Sequence, residues 1–152
     1  MTMKPSTTLE KLASAALVVL GALIALGAYG HGFVGRLPID AELAKHPIDH
    51  DTFQMLYVVW HFVTGAMLLC GAALIWAWSH VRRGDRQPLF IANLIGVLYL
   101  AVGLGGIVYR NGDPFMIVFI AEGALVLLSA WALRTPRPET SGIPAALAAR
   151  TP

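Results

Sequence analysis

The chain holds a single cysteine, Cys70, so no disulfide can close within it. It lacks a phosphate-cradling glycine loop, a nucleophile elbow, a CxxCH haem-attachment run and a dinucleotide fingerprint. Nothing in it therefore announces nucleotide chemistry, acyl transfer or covalent haem. Charge is also sparse, at 13% of residues, and is confined to short segments. The 11 basic residues barely outnumber the 9 acidic ones and sit at segment edges rather than on one patch, which argues against a nucleic-acid partner.

What remains is apolar. Residues of the hydrophobic classes make up 57% of the chain, the composition of a polytopic membrane protein rather than of a soluble core. Four stretches are long enough to cross a bilayer, for which about 20 residues at 1.5 Å rise suffice: 11–33, 54–79, 89–109 and 115–133. The fold expected is an all-α, antiparallel four-helix transmembrane bundle over residues 8–134. A disordered N-terminus, 1–7, and a disordered cytoplasmic tail, 135–152, rich in Pro, Ala and Thr, flank it. Lys4 and Lys11 before the first apolar run give it the look of a leader. The run is long for one, and three further spans follow, so it reads as the first span.

Charge sets the orientation. Lys4 and Lys11 precede span one, Arg82, Arg83 and Arg86 join spans two and three, and Arg134, Arg137 and Arg150 follow span four. The opposite side has only Arg36, Lys45 and Arg110. The positive-inside rule then places both termini in the cytoplasm of a bacterial inner membrane. The loop Val34–Thr52 and the turn Asn111-Gly112 face outward. The arginines of the inner turn suit anionic headgroups.

Local signals fix several ends. Thr7 and Glu10 have capping-box spacing, as do Asp51 and Gln54, which makes Asp51 the expected cap of the second helix. Pro38-Ile39-Asp40 and Pro47-Ile48-Asp49 read as turns in the outer loop. His46, Asp49 and His50 are metal-ligand types but read as solvated loop residues. Asp113 followed by Pro114 reads as a cap and first turn.

The chemistry-bearing residues lie inside the spans. In the second, Gln54, Tyr57, His61, Thr64, Gly65 and Leu68 share a stripe at 100° per residue, opposite a wholly apolar face. Polar groups in lipid must face protein or water. In the fourth span Glu122 is the one carboxylate placed deep in the apolar run. His61 and Glu122 each lie about seven residues from the outer end, roughly 10 Å deep. His31 sits at the shallower outer end of span one. An outward-facing polar pocket of His31, Tyr57, His61, Thr64 and Glu122 follows, with His61 and Glu122 expected in contact. It serves ligand binding or proton handling, or merely locks two helices together. His31 and His61 are the candidate metal ligands, for haem or a divalent metal.

The hydropathy pattern of Leu12–Leu133, with four spans, short loops, glycine-rich first and third helices and few interior polar residues, resembles small bacterial proteins of the DoxX-like kind. The segment Tyr57-Val58-Val59-Trp60-His61 is similar to one in uncharacterised bacterial membrane proteins. The resemblance implies a fold and a compartment and no activity. No motif of that group's chemistry is matched residue by residue, so no site residue is carried over. The expected function is a non-enzymatic inner-membrane protein, an accessory or small-ligand-binding subunit. Its partners would be the lipid bilayer and another membrane subunit. The alternative is a redox or metal protein using His31 and His61.

Overall fold

The computed structural model describes residues 7–134, so positions 1–6 and 135–152 of the expected tails lie outside it. Every regular element among the described residues is helical, and none is a strand. Helix α1 spans Thr8–Tyr29 and passes into a π-helical turn, Gly30–Val34. Then come α2 (Arg36–Lys45), α3 (His50–Arg82), α4 (Leu89–Tyr109) and α5 (Met116–Arg134).

The ends show why the helices begin where they do. The Thr7 hydroxyl accepts from the Glu10 N–H at 3.2 Å while the Glu10 carboxylate accepts from the Thr7 N–H at 3.1 Å, closing a capping box. The cap of α3 differs from expectation. Asp49, not Asp51, accepts from the Thr52 N–H at 2.9 Å and from its hydroxyl at 2.6 Å, so the helix starts at His50. Asp49 and Asp51 both had three-residue partners, but Asp49 follows Pro47-Ile48 in extended backbone, the conformation a cap requires. The stretch expected as an outer loop is largely helix α2. Its Pro38 lies in the first turn, where a missing N–H costs no intrahelical bond.

Helix α1 packs along α3, and α4 along α5; α1 also packs on α5, and α3 meets α4 more sparingly. Small residues set the closest approaches. A Cβ built on Gly71 would stand 2.6 Å from the Gly21 carbonyl oxygen, and one on Gly123 would stand 2.7 Å from that of Gly96. In lipid such close backbone contact supplies the dispersion energy that hydrophobicity cannot. All four long helices give a fully buried side chain to one core: Leu17 and Ile24 from α1, Leu74 from α3, Leu89 from α4 and Val126 from α5. Arg86, in the turn after α3, reaches Glu10 at the start of α1 at 3.3 Å.

Four helical runs are long and apolar enough to cross a membrane: Thr8–Lys45, His50–Arg82, Leu89–Tyr109 and Met116–Arg134.

Candidate functional site

The site grows from the π turn. In an α-helix the Gly35 N–H would bond the carbonyl of His31; here it bonds that of Gly30 at 2.8 Å, leaving the His31 oxygen free. The indole Nε1 of Trp60, on α3, donates to that oxygen at 3.1 Å. The same indole lies flat under the His31 imidazole. Nε2 of His31 is enclosed and has no hydrogen-bond partner among the described residues.

One step further along the chain, α2 folds over the start of α3. The Tyr57 hydroxyl donates to Asp40 at 2.6 Å, and the Arg36 Nε donates to the other carboxylate oxygen at 2.8 Å. The Arg36 guanidinium also sits 4.9 Å from the Tyr57 ring centre, a cation–π contact. Tyr57 and Asp40 help line a cavity of about 360 Å³ between α2 and α3. The rest of its wall is apolar: Leu43, Ala44, Pro47, Ile48 and Phe53. Asp49, which caps α3 beside this wall, has its carboxyl held below the usual range by the Thr52 hydroxyl and then by the Thr52 N–H.

The residues singled out from sequence divide between places. His31, Tyr57 and Thr64 gather along the seam between the π turn and α3. Tyr57 is bonded to Asp40, and Thr64 bonds its own helix at the Trp60 carbonyl, 2.9 Å away, beside Gly32. His61 is exposed, and its ring meets the edge of the Tyr57 ring, with centroids 6.0 Å apart. Glu122 is half-buried on α5. The expected contact of His61 with Glu122 is not made. No Cα of α3 comes within 8 Å of one in α5, because α1 and α4 each pack between them. Depth along a helix follows from counting residues, but which helices become neighbours does not.

The facing stripe of α3 is also rotated from the expected one. Gly21, Gly27, Gly32 and Gly35 meet Gly71, Met67, Thr64 and Trp60 in turn, so Trp60 rather than its neighbour His61 points inward. The small residues of α1 and α3 choose this face, since only there can the backbones meet. Among the described residues, no three His, Cys, Asp or Glu side chains come together to hold a metal, so His31 and His61 gain no third ligand.

Two participants escaped the sequence reading. Asp40 was one of several loop acids, with nothing to mark it until α2 placed it over Tyr57. Tyr99 is 5% exposed in the core of α4, with its hydroxyl unpartnered among the described residues. A tyrosine midway along an otherwise apolar span was the available signal. In comparisons with known proteins, no family model, no curated protein and no solved structure matches this chain.

Proposed function

We propose that this is a multi-pass protein of a bacterial inner membrane, an antiparallel four-helix bundle with both termini in the cytoplasm, whose outward end binds a small molecule without transforming it. Four apolar helical runs support the membrane seat. The excess of lysine and arginine at the termini and in the turn 83–88 supports the orientation. Helix α3, with 33 residues, is about 50 Å long, which exceeds a hydrocarbon layer of about 30 Å and supports a start that projects beyond it. On this orientation α2 and the cavity lie at the outer interface. The hydropathy resemblance to DoxX-like proteins agrees with this seat and adds no activity.

The observation that carries the binding role is the open cavity of about 360 Å³ between α2 and α3, with the bonded pair Tyr57 and Asp40 in its wall. Its size falls within the range of about 300–1,000 Å³ typical of small-molecule sites, with few polar groups on an apolar wall. Labelling tests the reading. In a Cys70→Ser background, Ala44→Cys on the cavity wall should react with a membrane-impermeant maleimide added to intact cells with a permeabilised outer membrane. Reaction only after lysis overturns the orientation. Ala44→Trp should fill the cavity and abolish binding of small aromatic fragments seen by ligand-observed NMR in nanodiscs; equal binding overturns the site.

A second reading, haem or a divalent metal on His31 and His61, rests on the enclosed, unpartnered Nε2 of His31. A Soret band or stoichiometric metal in protein extracted with mild detergent, lost in His31→Ala, would favour it.

A further inference from the structure

The larger cavity has one charged side chain in its wall, Asp40. Arg36 does not line it. The arginine instead borders a second, much smaller cavity of about 10 Å³ with Ile39, Leu56 and Trp60, and Tyr57 lies between the two. Asp40 accepts one bond on each oxygen, from Tyr57 and from Arg36, and a carboxylate oxygen can accept two. Acceptor capacity therefore remains on a charged group at the cavity wall. The rings of Phe53 and Tyr57 adjoin it, with centroids 4.6 Å apart. Between positions 36 and 51 the acids Asp40, Glu42, Asp49 and Asp51 outnumber the cations Arg36 and Lys45.

These features discriminate among ligand charges. An anion would meet the Asp40 carboxylate directly. A neutral apolar ligand would strip water from it and return no hydrogen bond, a costly exchange. A cation gains from the carboxylate, and the aromatic rings of Phe53 and Tyr57 in the wall suit it better than they suit an anion. A wall of Leu43, Ala44, Pro47 and Ile48 asks for an apolar body on that cation. A volume of about 360 Å³ holds a head and one ring rather than a long chain.

We propose that the cavity between α2 and α3 binds an organic monocation, an ammonium head carried on a compact apolar or aromatic body, with Asp40 as its counter-ion and Phe53 and Tyr57 against it. This rests on the small-molecule reading above and names its ligand class. Arg36 then acts as a built-in competitor for Asp40.

The test is equilibrium binding to the full-length protein in zwitterionic nanodiscs. Three probes share a benzyl or phenyl body: benzyltrimethylammonium, neutral N,N-dimethylbenzamide and anionic phenylacetate. The ammonium should bind saturably and best. Asp40→Asn should weaken it about tenfold or more, the loss of one charge-assisted contact. Arg36→Gln should tighten it. Glu42→Gln, which removes an acid outside the cavity wall, should leave it unchanged. If the neutral or anionic probe binds as tightly and is lost in Ala44→Trp, the cation inference falls and the pocket reading stands. Equal loss in Glu42→Gln and Asp40→Asn reduces the effect to bulk charge and also overturns it. If no probe of any charge binds, the pocket reading itself fails.

Discussion

The imidazole of His31 stacks on the indole of Trp60, with ring centres 4.0 Å apart and planes 16° from parallel, while the indole N–H holds the backbone carbonyl of that same histidine. One side chain of α3 thus grips both the ring and the main chain of one residue in the π turn. Trp60→Phe keeps a ring for stacking and loses the hydrogen bond, and should cost about 1 kcal/mol. Trp60→Ala removes both and should cost roughly 2–3 kcal/mol, toward the lower end for a half-buried aromatic. Thermal unfolding in detergent measures each. Equal losses in the two variants would show that the hydrogen bond, not the stacking, carries the grip.

Close approach of helices gives a second expectation. Gly71→Val and Gly123→Val should each abolish or sharply reduce folded yield, because their side chains would enter the backbone of α1 or α4. Gly65→Val is the control: it lies on α3 with open space around it and should be recovered at normal yield. Size-exclusion profiles of the three variants decide this.

His61 and Glu122 do not touch, so their losses should add. His61→Leu should change stability little, since the ring is exposed and bonds to nothing among the described residues. Combined with Glu122→Leu, the double variant should match the sum of the singles within about 0.5 kcal/mol, as for independent sites. A coupling well above that would put the two side chains in contact after all.

Much of this was legible beforehand, and the failures have physical causes. Hydropathy located the four long helices because transfer energy is summed along the chain and needs no partner. The Thr7–Glu10 cap was legible because it is local. The inward residue of α3 was misjudged because polarity pointed to His61, whereas the contact is chosen by where Gly21 and Gly71 allow backbones to meet. Helix α2 was hidden by Pro38, which reads as a turn unless one knows it falls in a first helical turn. The pairing of α3 with α1 rather than α5 is a property of neighbours, which no single span encodes.

Asp49 supplies a pH dependence. Its carboxyl is depressed in the folded chain by the Thr52 hydroxyl and N–H, so the cap stabilises fully above the ordinary carboxylate pKa. That stability is lost as pH falls through the depressed value. Protection of the first amides of α3 in hydrogen exchange should therefore decline on acidification below the usual aspartate range, and Asp49→Ala should remove that decline. An unchanged acid profile in the variant would assign the effect to another group.

The π turn also governs geometry at a distance. Residues 8–45 form a helical run interrupted by one wider turn. A helix advances about 100° per residue, so in an unbroken α-helix Asp40 would point about 100° away from the side on which Gly21 meets α3. The extra residue taken up by Gly30–Val34 cancels that offset, and Asp40 and Gly21 address the same helix. The turn is a phase correction of a single residue. Deleting one glycine there would leave hydropathy and charge almost untouched, yet swing the carboxylate off Tyr57. The number of residues in this segment thus sets the aim of Asp40 as firmly as their identity sets the contacts with Thr64 and Trp60.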